Sequence, residues 1–373
     1  MSRPRSVEKP PTRILHVVSG DLWAGAETQI FQLARALKAT PAIALRVAVM
    51  NPGTLASRLT EEGVDVLILD ESRHSFVELA QALTQLNKEW KPHIVHTHRR
   101  KEHVLGALSA RASGAKLVAT IHGASEFTYP WWDLRHQFLL RLERAVLTRY
   151  FQLIVAVSQE LRDSLRKTYQ QVAMLPNGVD IAAIRNAATA CDPPVDANAT
   201  RLVFIGRLAP VKRVDRIIDT VELLHKSEPG RWSLYIIGDG PLEAALKRKA
   251  QRLDAVNYIH FTGPIENPFP WLSKMHALVL ASDHEGLPMT ALEALALNIP
   301  FIAPAKGGLS ELARDAGIQD FLFDTDRELR GVLLKQLQEA RGKRRPACTL
   351  PKKYQIDSVT AQYLKLYGGL ANR

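Results

Sequence analysis

The chain has 373 residues, 46% apolar and 23% charged, a length that suits two domains and the composition of an ordinary globular protein. Two cysteines, Cys191 and Cys348, exclude a disulfide framework or a cysteine metal site and imply a reduced, cytoplasmic setting. The net charge of +11 favours anionic partners, among them nucleotide phosphates, phosphorylated glycans, acidic lipid surfaces and nucleic acid, without choosing between them.

Residues 1–12 are polar, contain prolines and are expected to be disordered. The charged start has no apolar core behind it, so it does not read as a signal peptide. No apolar run approaches the roughly 20 residues of a membrane span. Residues 13–19 form a short apolar run that predicts a first strand. A turn containing Gly25 follows, and then Ile30, Leu33, Ala34 and Leu37 recur at helical spacing. This first strand–turn–helix unit lacks the G-x-G-x-x-G fingerprint and the Gly-Lys-Ser/Thr of a P-loop.

Further strands are predicted at 45–50 and 64–69, and a helix at 75–90. Residues 93–98 predict a strand ending in a histidine cluster. His96 and His98 are expected to face opposite ways across it, which argues against joint metal ligation. Arg99, Arg100 and Lys101 read as a basic turn at that strand's carboxyl end, able to hold an anionic group of an acceptor. Residues 117–121 predict another strand, with His122-Gly123 after it. Within 129–150, Leu134, Phe138, Leu142 and Val146 keep helical spacing behind Trp131-Trp132, with Arg135, Arg141, Arg144 and Arg149 interleaved. Two readings stay open: an amphipathic helix packed on a sheet, or a basic helix lying on an anionic membrane surface. A strand at 153–158 and the stretch Asn177-Gly178-Val179-Asp180 complete a first domain over 13–185.

Residues 186–200, rich in Ala, Asp and Pro, read as a linker. A second α/β series, 201–353, opens with a strand ending in Gly206, with Arg207 next and Lys212 five residues on. Arginine suits a diphosphate because its guanidinium donates two parallel hydrogen bonds, and lysine adds a mobile point charge. A strand at 233–237 runs into Gly238-Asp239-Gly240-Pro241, whose glycines let the backbone turn tightly under a planar ring. Strands at 258–262 and 277–281 follow. After the second of these comes a polar loop with Glu285, Gly286 and Leu287, then a helix over 290–297 with Glu293 expected in its first turn. In open parallel sheets, ligands gather at strand carboxyl ends near helix N-termini, where two carboxylates can accept hydrogen bonds from sugar or ribose hydroxyls. A strand at 301–303 precedes Lys306-Gly307-Gly308. Asp324-Thr325-Asp326 has the spacing of a metal-binding motif but lacks its context, and reads as coincidence. Residues 354–373 hold a final helix.

From 13 to about 366 the chain resembles the retaining GT-B glycosyltransferases of family 4 (glycosyl transferases group 1), of the bacterial surface-glycan type. The resemblance rests on Glu285 and Glu293, on Arg207 with Lys212, on residues 238–241, on Asn177-Gly178-Val179-Asp180, and on Gly25, where Ala24 replaces the first glycine of the family's turn. It implies two Rossmann-like α/β/α lobes facing across a cleft, with the final helix crossing back to the first lobe. It implies donor binding by Gly25, Arg207, Lys212, Gly238, Asp239, Gly240, Glu285, Gly286, Leu287 and Glu293. Arg207, Lys212, Glu285 and His122 would carry catalysis, without metal or other cofactor. The expected partners are a nucleotide-sugar donor and a glycan or lipid-linked acceptor, with a peripheral contact to the inner face of the cytoplasmic membrane left open. No nucleic-acid-binding motif is present. A GT-B sugar-nucleotide epimerase and a non-catalytic basic binding protein are the rival readings.

Overall fold

The computed structural model describes residues 10–123, 134–337 and 348–372. The first lobe alternates strand and helix: β1 (Thr12–Val18), α1 (Gly25–Lys38), β2 (Ile43–Val49), α2 (Thr54–Glu61), β3 (Asp65–Ile68), α3 (Phe76–Trp90), β4 (Ile94–Thr97), α4 (Arg100–Ala110), β5 (Lys116–Ile121), α5 (Leu134–Tyr150), β6 (Leu153–Ala156), α6 (Gln159–Arg166), β7 (Val172–Met174) and α7 (Ile181–Ala187). Its seven strands pair in parallel in the order β3-β2-β1-β4-β5-β6-β7. Parallel strands need crossover helices, and these cover both faces, so the strands are apolar on both sides. In β1, Leu15 and Val17 join the core under one face, and Ile14 and Val18 join the core under the other.

The second lobe repeats the plan with β8 (Thr200–Ile205), α8 (Val214–Ser227), β9 (Trp232–Ile237), α9 (Glu243–Arg252), β10 (Ile259–Gly263), α10 (Phe269–Ser273), β11 (Ala277–Val279), α11 (Met289–Ala296), β12 (Phe301–Pro304), α12 (Gly307–Asp315), β13 (Leu322–Phe323) and α13 (Asp326–Leu337). Its strand order is β10-β9-β8-β11-β12-β13. Together the two parallel sheets with helices on their faces are the GT-B arrangement. The order reverses between β1 and β4 in one sheet and between β8 and β11 in the other. Such switch points open a crevice at the strand carboxyl ends, where ligands bind. A last helix, α14 (Ile356–Ala371), packs Val359, Tyr363 and Tyr367 into the core of the first lobe, a stripe at four-residue spacing.

Local chemistry explains several boundaries. Ser75 caps α3: its hydroxyl accepts from the Glu78 amide while Glu78 accepts from the Ser75 amide. Arg99 to Lys101, expected as a turn, instead cap and start α4, where the Glu102 carboxylate accepts from the amides of His98 and Arg99 just ahead of the helix. Asp324-Thr325-Asp326 leads into α13, with Glu328 accepting from the Asp324 and Thr325 amides and Asp326 paired to Arg216. Of the 129–150 stretch, 134–150 is helix α5; Trp131 and Trp132 lie outside the described residues.

The lobes touch along the cleft. Asn177 donates to the Leu287 carbonyl (2.7 Å), Arg185 to the Ala296 carbonyl (2.9 Å), and the Gly307 amide to Glu160 (2.7 Å). The stretch Asn177-Gly178-Val179-Asp180 is a clip between parts of the chain. The Gly178 amide donates to Gln29, Val179 bridges to Gln355 ahead of α14, and Asp180 caps α7 and pairs with Arg35. Gly178 is needed there because a Cβ would lie 2.8 Å from Val359 of α14.

Candidate functional site

Two second-lobe loops build one wall of the cleft. Gly206 follows β8 directly, and Gly238 follows β9 with φ of +134°. A Cβ on Gly238 would stand 2.1 Å from the Gly206 carbonyl oxygen, so only glycine lets these loops stack. The Leu208 amide donates to the Asp239 carbonyl (2.6 Å) and the Leu242 amide to the Leu208 carbonyl (2.9 Å). Arg207 is thereby held, exposed, at the carboxyl end of β8. The chain then forms a short 3-10 turn, Pro210–Lys212.

Lys212 reaches across to the neighbouring loop after β11. Its Nζ lies 2.5 Å from Glu285 Oε1, and the Ser282 hydroxyl donates to the same oxygen at 2.7 Å. Arg213 turns away, its backbone left-handed (φ +49°), and pairs with Asp215 and Asp283. The lysine in position to act with Glu285 is therefore Lys212. Gly286 follows, and a Cβ there would sit 2.0 Å from the His122 backbone carbonyl, so the glutamate loop lies directly on the first lobe. The Gly308 amide donates to the Gly286 carbonyl (3.0 Å), and Gly307 turns with φ of +58° beneath it. That explains the paired glycines at 307–308, which lock the loop.

Glu293 does not sit in the first turn of its helix as expected. The helix starts at Met289, which places Glu293 in its second turn, and nearly every residue of α11 is buried. It is not a helix cap. Burial alone raises its carboxyl to about 7, and no hydrogen bond or ion pair joins it to another described residue. Gly25 opens α1 opposite, where a Cβ would make an ordinary 3.8 Å contact with Met289 of the second lobe.

On the first lobe, Arg99 pairs with Glu27 and with Asp21 (3.0 Å), and its charge helps lower His122. Arg100 is paired with buried Glu143 (2.8 Å) and Lys101 with Glu71. Of the three basic residues, Arg99 therefore lies by the cleft histidine, while Arg100 and Lys101 are bound to other carboxylates.

The histidine cluster overturns one expectation. His96 and His98 are two residues apart, so a strand's period of two puts them on the same side, not opposite sides. Their rings stack with centroids 4.4 Å apart, and His16 of β1 joins them at 4.7 Å from His96 and 5.2 Å from His98. His98 Nδ1 lies 3.3 Å from His122 Nε2. Sequence reasoning missed His16, and gave no role to Ser282 or to the Asn177 side chain. The even spacing of 96 and 98 was the available signal for the cluster; the motif marked Asn177, but nothing local gave its partner, the Leu287 carbonyl.

No helix among the described residues is long and apolar enough to cross a membrane. Residues 23–183 match the model of Glycosyltransferase Family 4, and residues 199–337 match that of Glycosyl transferases group 1. EpsF of Bacillus subtilis is 27% identical over 304 residues, 78% of either chain. The glycogen synthase of Mycobacterium tuberculosis is 26% identical over 250 residues, 64% of this chain; the match spans 58% of that relative, less than two thirds of its length. The O-antigen biosynthesis glycosyltransferase WbnH of Escherichia coli is 27% identical over 169 residues, 45% of this chain and 47% of its own. Among solved structures, Anabaena Alr3699/HepE in complex with UDP and glucose superposes with a TM-score of 0.78 at 18% identity, covering 96% of this chain and all of that one.

Proposed function

The chain belongs to the glycosyl transferases of group 1 and family 4, and from that membership we propose that it moves a sugar from a nucleotide-diphosphate sugar to a hydroxyl of a surface-glycan acceptor. The observation that carries this reading is the constellation at the second sheet's switch point: Arg207, the Lys212–Glu285 pair and buried Glu293, with the His122 backbone against Gly286 from the first lobe. Glu293 accepts from the ribose hydroxyls. The loops at Gly238, Asp239 and Gly240 take the base side, and Glu285, Gly286 and Leu287 the sugar side. Arg207 and Lys212 stabilise charge growing on the departing diphosphate.

The reaction retains configuration. The acceptor oxygen bonds to the anomeric carbon on the face the diphosphate leaves. The old carbon–oxygen bond breaks with its electron pair going to the phosphate oxygen, which also takes the hydroxyl proton. No enzyme nucleophile is assignable from the sequence, which favours this front-face route. The two cations supply the charge compensation that a divalent metal would otherwise give. Lobe closure limits donor hydrolysis.

Thermal shifts with UDP, GDP, ADP, CMP and their sugars, in buffer containing a chelator, test the donor site. UDP is the first probe, since Alr3699/HepE holds UDP and glucose. Stabilisation by one nucleotide diphosphate, lost in Arg207→Ala, is the expected result. No shift at millimolar nucleotide would favour the basic binding protein, and conversion of the donor sugar without acceptor would favour the epimerase.

A peripheral membrane contact is a second reading, favoured by α5. Phe138 (66% exposed) and Leu142 (39%) stand out beside exposed Arg141, Arg144 and Arg149. Cosedimentation with phosphatidylglycerol vesicles should fall at high salt and in Phe138→Ser/Arg141→Glu/Arg144→Glu. Equal binding to neutral vesicles would remove this reading.

A further inference from the structure

Three buried histidines and the half-buried His122 sit where the parity of three parallel strands puts them together. His16 is paired in register with His96, and His96 with Val118. Counting by twos from these positions reaches His98, Thr120 and His122 on the same side. Ile14, Ile94 and Val118 share that parity, and all three belong to the core that α14 covers. The side chains connect without a break. Tyr367 Oη of α14 lies 2.7 Å from His96 Nδ1 and 3.4 Å from His16 Nε2. His16 Nδ1 is 3.1 Å from His98 Nε2, and His98 Nδ1 is 3.3 Å from His122 Nε2. His96 Nε2 meets the Thr120 hydroxyl at 2.8 Å. The chain ends at His122 Nδ1, an atom that is buried and has no hydrogen-bond partner among the described residues.

We propose that Tyr367, His16 and His98 are positioning residues that fix the tautomer of His122, so that its Nδ1 faces the reaction as a hydrogen-bond acceptor for a donor-sugar hydroxyl; the sugar contact rests on the transferase reading above, whereas the relay itself does not.

The reasoning is proton counting. A neutral imidazole has one N–H and one bare nitrogen. Burial holds all four rings neutral, with His16 lowered to about 3 and His122 to about 4. Each link between two rings holds one proton, so the choice at one ring dictates the choice at the next. Two settings of the row from His16 to His122 are consistent. In the first, His16, His98 and His122 all carry their proton on Nε2, and His122 Nδ1 is bare. In the second, all carry it on Nδ1, and His122 buries an unpartnered N–H. An orphaned buried N–H is the rarer and costlier condition, so the first setting prevails. Tyr367 completes it by accepting from His16 Nε2–H and donating to His96 Nδ1, which leaves His96 Nε2–H to donate to Thr120.

The same count disfavours a metal among His16, His96 and His98, although their ligand atoms lie within 4.8 Å of one another. All six ring nitrogens already have protein partners, and three of them carry protons that an ion would have to displace.

The test is nitrogen-15 NMR of histidine-labelled free protein, with His122 assigned from the signal missing in His122→Gln. The expected result is a single Nε2–H pattern for His16, His98 and His122. Tyr367→Phe removes the acceptor for His16 Nε2–H, so either setting then leaves one unpartnered N–H and His122 should become a mixture of Nε2–H and Nδ1–H tautomers. If that variant does not fold, His98→Gln, which cuts the row in its middle, gives a mixture of tautomers at His122. In turnover, either variant should lose about tenfold in kcat/KM for the nucleotide sugar while binding the free nucleotide diphosphate as the native chain does. An unchanged His122 tautomer in both variants overturns the relay, and so does stoichiometric uptake of zinc or cobalt. A mixed tautomer without any turnover effect keeps the relay and rejects the sugar contact. Because the NMR experiment contains no sugar, failure of the transferase reading cannot be mistaken for failure of the relay.

Discussion

Lys212→Ala is expected to lower kcat by about 10²- to 10³-fold, the usual cost of deleting one preorganised group that meets charge developing in a transition state. The structure adds a reason for the upper part of that range. Lys212 stands 2.5 Å from Glu285, and both are largely shielded from solvent. Without the lysine, Glu285 keeps only the Ser282 hydroxyl among the described residues, and on the proposed mechanism its negative charge would then face the departing diphosphate. Glu285→Gln in the Lys212→Ala background should therefore recover part of the loss. Initial rates for the four proteins of that double-mutant cycle give the coupling. Strictly additive effects, or a Lys212→Ala rate within about twofold of native, would show that the pair plays no part in leaving-group departure. Arg207→Ala should behave differently. Arg207 is exposed and its loss strands no buried carboxylate, so Glu285→Gln should not rescue it.

Glu293→Gln is expected to raise thermal stability at pH 8 and to abolish stabilisation by nucleotide. Burial raises the Glu293 carboxyl to about 7, against an ordinary value of 4.5. The folded protein therefore binds this proton more tightly than the unfolded chain does. Stability is highest below the unfolded value, declines as pH rises from about 4.5 to about 7, and is flat above that. The loss at pH 8 is on the order of 3 kcal/mol at most. Glutamine is neutral at every pH, so the variant should melt higher than native at pH 8 and close to native near pH 4.5. Glu102, also buried and raised to about 7, drifts in the same direction in both proteins and cancels in the difference. Melting curves across that range check the sign; a variant less stable than native at pH 8 would show that the carboxylate is already well served. Ribose hydroxyls donating to the carboxylate would draw its pKa down, so nucleotide binding near pH 7 should release a proton. Calorimetry in two buffers of different ionisation enthalpy measures it. Such an arrangement exchanges stability of the empty site for affinity, the trade found at many functional sites.

Much of this architecture was written locally. Apolar runs of four to seven residues separated by helical spacing announce parallel strands with crossovers, because such strands are covered on both faces. The Ser75 cap, the glycine turns at 238–240 and 307–308, and the Glu285–Glu293 spacing are all short-range features, readable because the interactions that demand them lie within a few residues or in adjacent strands. Even the shared side of His96 and His98 was available from the period of a strand. What no local pattern could decide is who meets whom across distance. His96 finds Tyr367, 271 positions later, only because α14 returns to the first lobe. Asn177 reaches Leu287 only when the lobes meet. Arg100 and Lys101 read as free basic residues until α5 and the loop after β3 supplied Glu143 and Glu71. The protonation of Glu293 depends on the water excluded around it, a property of packing in three dimensions and not of its neighbours in the chain. The sequence by itself determined the elements, the two lobes and the chemistry gathered at their switch points. Tertiary structure alone decided which charges are matched, which carboxyl is kept dry and which histidines share protons, because those depend on contacts closed by folding between residues far apart in sequence.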